Sequence, residues 1–272
     1  MQRYRRFGGS CERCGVLRER RQRPEHRHER HERYRHCVSA AVLFDLDGTL
    51  LDHEGAARAA ALAWAAGESP GHGFDGQALG SQWLRLEDEH YASYLAGTLS
   101  FQEQRRARLA GMLATLGRAV PSDIALDRLF EAYLRYYKAA WRAYEDVLPA
   151  LTSLRAAGLI IGVLTNGQED QQRTKLQAME LLDLFTCVVA SSTLPSPKPA
   201  AAAFVMACER LGRPPAEVFY VGDNLHTDAL AASRAGLTGV WINRLGEEAQ
   251  EEPTHVVTDL REVLGLVLTR DR

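Results

Sequence analysis

Asp45 and Asp47 are two carboxylates separated by a single residue, at the end of the apolar run 41–44. Carboxylates this close repel each other unless a cation lies between them. A hard ion that prefers oxygen ligands, such as Mg²⁺, suits this arrangement, and it commonly accompanies phosphate groups. Gly48 follows and lets the backbone turn closely, so that amide groups can face an anion. The cluster therefore predicts a Mg²⁺ site that receives a phosphate group.

Further polar residues follow the later apolar runs. Thr165 offers a hydroxyl and Asn166 an amide after the run 159–164, whereas Asp223 follows the run 218–221. Asp228 comes five residues after Asp223 and is a fourth candidate carboxylate. These types of side chain can bind a metal, a phosphate or both.

Lys198 lies between two prolines, which fix the local backbone. A cation there can neutralise a phosphate and offset the carboxylates, and it is the only protein counter-charge that these clusters supply. The residues predict that Asp45 attacks phosphorus, forming an aspartyl-phosphate, and that Asp47 handles the proton. Mg²⁺, Lys198 and Thr165 are expected to stabilise the charge on the transferring oxygens.

Six apolar runs predict the strands of the sheet that positions these residues. They lie at 41–44, 159–164, 185–190, 218–221, 237–242 and 255–257, and helical patterns fall at 146–157, 168–182, 199–211, 225–235 and 258–268. Strands that alternate with helices predict an α/β fold whose parallel, Rossmann-like sheet is covered on both faces. Ligands bind such sheets at the carboxyl ends of the strands, which is where the polar clusters occur.

Residues 53–145 are helical in pattern throughout and contain no strand run. This stretch far exceeds a normal crossover between strands, so it predicts an inserted helical cap domain. Residues 38–52 and 146–272 then form the α/β core. The aromatic residues of the insert recur at helical spacing, which favours a packed helix face over a stacking platform; they are Tyr133, Tyr136, Tyr137, Trp141 and Tyr144.

Residues 1–37 carry 12 Arg and 5 Glu, a formal charge of +7, which leaves −9 for the rest of the chain. The segment lacks apolar periodicity and is predicted to be a disordered basic extension. A zinc knuckle formed by Cys11, Cys14, His26 and His31 is the alternative, although few apolar residues separate the pairs. The acidic body argues against binding of nucleic-acid polymers.

Location and redox state are inferred from composition. No run of 18 apolar residues occurs, so no membrane span is expected, and no apolar segment follows the N-terminus as in a secretory signal. A cytoplasmic protein is therefore predicted. Its five cysteines are expected to stay reduced, with Cys187 and Cys208 acting as small core hydrophobes.

Four segments resemble, in order, the motifs of the haloacid-dehalogenase superfamily. They are Asp45–Thr49, Thr165–Gly167, Lys198–Pro199 and Gly222–Asp228. The resemblance covers about residues 41–262. It implies that Asp45 is the nucleophile and Asp47 the acid and base. It further implies that Asp45, the backbone carbonyl of Asp47 and Asp223 bind Mg²⁺.

The same resemblance implies that Thr165 binds phosphate, together with Gly48 and Asn166, and that Lys198 bridges the phosphate to the nucleophile. Asp228 is expected just outside the ligands of the metal. The insert is similar to caps in the branch of the superfamily that contains pyrimidine 5′-nucleotidases and N-acylneuraminate-9-phosphatase. This second likeness is carried by Thr98–Gln104 together with Arg105, Arg106 and Arg108.

The expected function is a Mg²⁺-dependent phosphatase for a small phosphate monoester, such as a nucleotide or a sugar phosphate, since a cap that closes admits a small molecule. Three alternatives remain. A phosphomutase would shield the aspartyl-phosphate from water. A 2-haloacid dehalogenase uses one aspartate and no metal, and lacks the second aspartate that is Asp47 here. A regulatory module would have lost catalysis. The sequence leaves the oligomeric state open.

Overall fold

The computed structural model describes residues 40–68, 73, 75–249, 251–253 and 255–269. The predicted basic extension at 1–37, with its alternative zinc site, lies outside the described residues. In the part of the chain that the structure describes, no helix combines the length and apolar character needed to cross a lipid bilayer.

A six-stranded parallel sheet forms the centre of the molecule, with strand order β3-β2-β1-β4-β5-β6. The strands are β1 Ala41–Phe44, β2 Ile160–Thr165, β3 Cys187–Ala190, β4 Val218–Gly222, β5 Thr238–Ile242 and β6 His255–Val257. All six agree with the predicted runs to within two residues. The order of the strands reverses on either side of β1, so the carboxyl end of β1 lies at the switch point where parallel sheets bind ligands.

Helices cover both faces of the sheet, which confirms the predicted α/β class. Those that follow β1 in the core are α5 Val147–Ala156, α6 Glu169–Ala178, α7 Ala201–Leu211, α8 Ala231–Arg234 and α9 Val263–Thr269. One buried cluster includes Val42 and Phe44 of β1, and another on the opposite face includes Ala41 and Leu43. The strand is thus buried on both sides, which explains why its sequence is continuously apolar.

Two predicted helices differ from the structure. The helix expected at 168–182 ends at Ala178, where the chain turns through Glu180 in the left-handed region (φ 59°). The helix expected at 225–235 begins as a π-helical turn, Leu225–Leu230, before α8. The side chain of Asn224 accepts hydrogen bonds from the backbone N–H groups of His226 and Thr227 and so fixes the start of that turn. Wide turns of this kind often occur at functional sites.

Of the five helices that the structure describes between β1 and β2, the first four form the helical insert: α1 His53–Glu68, α2 Gly76–Leu95, α3 Phe101–Thr115 and α4 Asp123–Ala139. They pack around a core of their own that includes Trp64, Trp83 and Phe130. The buried Trp83 indole N–H donates to the Tyr133 hydroxyl at 2.9 Å, which satisfies a polar group that would otherwise be costly to bury.

The two connections between the sheet and these helices lie side by side. Leu51 and Ala143 form an antiparallel bridge, and the backbone N–H of Asp52 donates to the Arg142 carbonyl at 3.0 Å. The Arg142 guanidinium also contacts the Asp52 carboxylate through Nη2 at 2.6 Å. The helical insert therefore leaves and re-enters the sheet domain at nearly one point.

Candidate active site

Asp45 is the first residue after β1, and the sheet holds it in place. Its backbone N–H donates to the Val221 carbonyl at 2.9 Å, which continues the pairing of β1 with β4. The residue is 7% exposed, and its Oδ1 accepts a hydrogen bond from Lys198 Nζ at 2.7 Å. The carboxylate thus faces the site at the carboxyl end of the central strand.

Lys198 is a buried cation, 2% exposed, that joins three acceptors. Besides Asp45, its Nζ donates to Asp228 Oδ1 at 2.6 Å and to the Tyr220 hydroxyl at 2.7 Å. Tyr220 in turn donates to the Leu164 carbonyl at 2.9 Å. Groups on β4 and β2 thus fix the position of the Lys198 ammonium. The sequence analysis did not single out Tyr220, since a tyrosine inside an apolar strand looks like an ordinary core residue.

Burial and charge shift the pKa values of this network in opposite directions. Burial raises the pKa of Asp45 to about 6, even though Lys198 acts to lower it. Burial would lower the pKa of Lys198, but Asp228 and Asp45 hold it above its ordinary value. Lys198 therefore stays charged, whereas Asp45 takes up a proton more readily than an ordinary aspartate does.

Asp45, Asp223 and Asp228 offer carboxylate oxygens that all lie within 4.8 Å of one another. Only Lys198 carries a matching positive charge at this cluster among the described residues. Asp223 is held by the Thr49 hydroxyl, which donates to its Oδ1 at 3.1 Å. Burial, Asp45 and Asp228 together raise the pKa of Asp223 well above its usual range. The surplus of buried negative charge on oxygen ligands fits a divalent cation such as Mg²⁺.

Gly48 permits the close approach of two loops. Its φ is +86°, and a Cβ at this position would lie 2.1 Å from Asp223 Oδ2. Only glycine can adopt this conformation and leave room for the carboxylate. The Gly48 N–H donates to the Leu51 carbonyl at 2.9 Å, which closes a tight turn there, and the binding of an anion by amide groups of this turn stays a prediction. Its role here is to give Asp223 space.

Asp47 does not point at the carboxylate cluster but pairs with Lys175 on α6. Lys175 Nζ lies 2.7 Å from both carboxylate oxygens of Asp47, and Gln172 Nε2 donates to Oδ2 at 3.3 Å. Burial would raise the pKa of Asp47, but Lys175 and His53 lower it. The expectation that Lys198 is the only protein counter-charge was therefore wrong. The sequence offered little indication of this role for Lys175, because a lysine one turn after Gln172 is an ordinary feature of a polar helix.

Thr165 and Asn166 lie at the carboxyl end of β2, as predicted. The Thr165 hydroxyl, 1% exposed, accepts from Gln172 Nε2 at 3.1 Å. Both ends of the Asn166 amide bind the backbone of Lys198: Nδ2 donates to its carbonyl at 3.0 Å, and Oδ1 accepts from its N–H at 2.9 Å. Asn166 thereby positions Lys198, and its contact with a substrate stays a prediction.

A cavity of about 390 Å³ opens above these residues, with the insert as its far wall. The core supplies Asp45, Asp47, Asp223 and Lys175, and the insert supplies residues from its four helices. That volume falls in the range of sites for small molecules.

The wall formed by the insert contains a charged network around Glu87. Arg108 Nη2 lies 3.0 Å from Glu87 Oε2, and His53 Nε2 lies 3.4 Å from the same oxygen. The His53 Nδ1 is 2.6 Å from the Tyr137 hydroxyl. Although burial raises the pKa of Glu87, Arg108 and His53 bring it down to about 2. The network thus joins the first helix of the insert to the other three.

The aromatic run packs as predicted, but part of it also borders the cavity. Tyr133 and Tyr137 are 2% and 4% exposed and stack at 6.0 Å between ring centroids. Both line the cavity, whereas Tyr136 is 41% exposed. Of Arg105, Arg106 and Arg108, which carry the likeness to the superfamily caps, Arg106 does not line the cavity but binds Asp123 and Asp127.

The geometry agrees with the comparisons to known proteins. Residues 40–236 match the family model of haloacid dehalogenase-like hydrolases. The chain is 30% identical to a Pseudomonas fluorescens (S)-2-haloacid dehalogenase over 81% of this chain and 93% of that protein. It is 29% identical to human N-acylneuraminate-9-phosphatase over 85% of this chain and 94% of that protein.

A solved structure also resembles the chain. The putative HAD-hydrolase YfnB from Bacillus subtilis superimposes with a TM-score of 0.72 at 21% identity, over 84% of this chain and 98% of that one. This likeness concerns the fold, while the family model covers both the strand ends and the inserted helices. The protein with this buried aspartate–lysine centre is a member of the haloacid dehalogenase-like hydrolase family.

Proposed function

We propose that the protein is a Mg²⁺-dependent phosphatase that hydrolyses a small phosphate monoester through an aspartyl-phosphate on Asp45. The observation that carries the proposal is Asp47, a second carboxylate that lines the same cavity two residues after the nucleophile. Lys175 holds it apart from the metal-binding oxygens. An acid and base separate from the nucleophile is what ester hydrolysis requires. The relative named as N-acylneuraminate-9-phosphatase supports the assignment.

Asp45 and Asp223 would hold the metal, with Asp228 beside them, and the backbone carbonyl of Asp47 remains a predicted ligand. Bound there, Mg²⁺ supplies positive charge that draws a phosphate to the cluster and keeps Asp45 ionised.

In the first step a carboxylate oxygen of Asp45 attacks phosphorus, and the bond between phosphorus and the ester oxygen breaks. Asp47 gives its proton to that leaving oxygen. Lys198, which contacts Asp45 at 2.7 Å, neutralises charge on the transferring phosphoryl oxygens. The Thr165 hydroxyl lies at the adjacent strand end and donates to the same group.

In the second step Asp47 takes a proton from water, and the water oxygen attacks phosphorus. The bond between phosphorus and Asp45 breaks, which releases inorganic phosphate, restores the Asp45 carboxylate and leaves Asp47 protonated for the next turnover. Asp47 must therefore carry a proton at one stage and lack it at the next. A phosphate anion bound near Lys175 competes for its positive charge, so substrate binding raises the pKa of Asp47 toward the value a general acid needs.

The four helices α1–α4 act as a cap over this chemistry. The cavity lies between them and the strand ends, and its volume of about 390 Å³ suits a small metabolite rather than a polymer. A closed cap excludes water from the first step and strengthens the electrostatic contacts inside. We accordingly infer that the substrate is a small phosphate monoester, with nucleotides and sugar phosphates as the classes to test.

Dehalogenation of a 2-haloacid is the second candidate function, favoured by the 30% identity to a haloacid dehalogenase. That reaction also begins with attack by an aspartate, here Asp45, but on carbon. It needs neither Mg²⁺ nor a second carboxylate at the position of Asp47. Without a metal, the Asp223 carboxylate would lie beside Asp45 and Asp228 with no ion-pair partner in the described part of the chain, since Lys198 pairs with Asp45 and Asp228.

One pair of assays separates the candidates. Purified protein is assayed with p-nitrophenyl phosphate or with 2-chloropropionate. Each substrate is tested with Mg²⁺ at about 5 mM, which is on the order of the concentration that saturates a weak Mg²⁺ site, and again with excess EDTA. Release of phosphate that requires Mg²⁺ supports the phosphatase. Release of chloride that persists in EDTA, without phosphate release, would replace it with the dehalogenase.

A further inference from the structure

Arg105 is a cation in the cavity that the phosphatase reaction does not use. It lies on α3 in the wall of the cap, half-buried, and lines the same cavity as Asp45 and Asp47. Burial lowers the pKa of its guanidinium, with a further contribution from Arg108. A positive charge placed in a partly buried site beside another cation costs stability unless an anion compensates for it.

The neighbouring charges leave Arg105 without such an anion. Arg108 is paired with Glu87, and Arg106 on the outer side of α3 is paired with Asp123 and Asp127. Asp88 also lines the cavity, but burial and the neighbouring Glu87 raise its pKa. Among the described residues, no carboxylate forms an ion pair with Arg105.

Two aromatic rings fix the orientation of the guanidinium. Its Cζ lies 4.2 Å from the centroid of the Phe101 ring and 5.1 Å from that of Phe130. Rings engage the faces of a guanidinium, so the N–H donors, which point outward in its plane, remain for another partner. A planar fork of donors matches a carboxylate in a bidentate contact.

We propose that Arg105 binds a carboxylate of the substrate, so that the preferred substrates are small phosphate monoesters that also carry a carboxylate. The proposal rests on the proposed phosphatase function and names its substrate class. A carboxylate fits better than a second phosphate, since the single unpaired cation matches one negative charge. The phosphate is bound at the strand ends and the carboxylate at the cap, so one molecule spans both walls. Its binding also compensates the charge of Arg105 and favours closure.

The test compares substrates that differ in the carboxylate alone: O-phosphoserine with O-phosphoethanolamine, and 3-phosphoglycerate with glycerol 3-phosphate. In at least one pair, wild-type kcat/KM should favour the carboxylated member by about 10-fold to 100-fold, as for a charged hydrogen bond. Arg105→Gln should bring that ratio close to one. Arg106→Gln, a change of the same type at the adjacent position outside the cavity, should keep the ratio.

The outcomes are distinct. Equal kcat/KM within both pairs for the wild type, or a preference that survives in Arg105→Gln, would overturn the carboxylate site. If the wild type hydrolyses no phosphate ester, only the phosphatase proposal is refuted. Measurements of binding then test the proposed carboxylate site. Calorimetry on Asp45→Asn protein should then show that O-phosphoserine binds more tightly than O-phosphoethanolamine. Arg105→Gln in that background should remove this difference in affinity. An unchanged difference would contradict the proposal.

Discussion

Lys175 Nζ lies 2.7 Å from each carboxylate oxygen of Asp47, a bidentate contact between a helix of the core and the loop that follows β1. Lys175 is 3% exposed, and Asp47 is its only ion-pair partner in the part of the chain that the structure describes. The pair holds the proposed acid and base ready but ionised. Catalysis then depends on a substrate that weakens the contact.

Asp47→Asn should slow hydrolysis of alkyl phosphates by about 10²-fold to 10⁴-fold, the usual contribution of general acid–base catalysis. Hydrolysis of p-nitrophenyl phosphate should lose less in its first step, because nitrophenolate leaves without a proton. The measurement is single-turnover release of alcohol or nitrophenol with each substrate. Equal losses for both substrates would show that Asp47 does not protonate the leaving group.

The Asp47–Lys175 pair predicts that substitutions at these two positions have coupled effects on the free energy of unfolding. Asp47→Asn leaves the buried ammonium of Lys175 without its carboxylate, which should cost about 1–3 kcal/mol after allowance for the 27% exposure of the Asp47 side chain. Lys175→Met added to that variant should recover part of the loss in urea unfolding. The Arg173–Glu169 pair on the same helix is exposed, so the equivalent cycle there should give less than ~1 kcal/mol. Additive effects at 47 and 175 would contradict the buried pair.

Asp45→Asn should reduce kcat by at least about 10³-fold, because an amide cannot form the phosphoenzyme. The fold should survive, since Asn can still accept a hydrogen bond from Lys198. Rapid-quench labelling with a phosphate ester should trap acid-stable phosphate on the wild type but not on the variant. Asp127→Asn, at a half-buried position of the insert outside the cavity, serves as the control and should label normally. Labelling that persists in Asp45→Asn would assign the nucleophile elsewhere.

Removal of the metal should abolish phosphatase activity, and Asp223→Asn should raise the Mg²⁺ concentration for half-activation by about 10-fold or more. The reason is the surplus of buried carboxylates that Lys198 alone does not neutralise. Titration of EDTA-treated enzyme with Mg²⁺ gives both the activity without metal and the Mg²⁺ concentration for half-activation. A half-activation concentration unchanged by Asp223→Asn would remove that residue from the metal site.

Glu87 predicts how stability depends on pH. Its pKa is about 2 in the folded protein, against 4.5 for an ordinary glutamate side chain, so the folded state favours the ionised form. The contribution, on the order of 2 kcal/mol, should be complete above pH 4.5 and be lost as the pH falls toward 2. Unfolding free energies of wild type and Glu87→Gln should therefore converge as the pH falls below 4.5. A difference that does not shrink in acid would exclude this ion pair as its cause.

The strands and the aspartates that follow them could be placed from the sequence because each depends on a short stretch of it. An apolar run such as 41–44, closed by Asp45, fixes both a buried strand and the residue at its end. Tyr220 escaped prediction because a tyrosine inside an apolar strand resembles an ordinary core residue. Lys175 escaped prediction because its partner is distant in sequence: 128 residues separate it from Asp47. Only the register of the folded sheet brings such residues together.

The same limit applies to the cap. Its helices were predicted from composition, but Arg105 and Arg106, adjacent in sequence, point to different partners. Arg106 binds Asp123 and Asp127 of α4, while Arg105 packs over Phe101. Which arginine faces the cavity depends on how α3 packs against α4, which spacing along one helix does not determine.

The insert departs and returns through neighbouring chain segments, joined by the Leu51–Ala143 bridge and the contact between Asp52 and Arg142. Such a junction closes almost no new loop in the host domain, so the length and composition of what is inserted impose little entropic penalty on the sheet. Selection can therefore replace or remodel the whole helical module without disturbing the strand ends. Under the proposed function, the chemistry and the choice of substrate would lie in separable units, and grafting the segment between Asp52 and Arg142 from a relative would test that division.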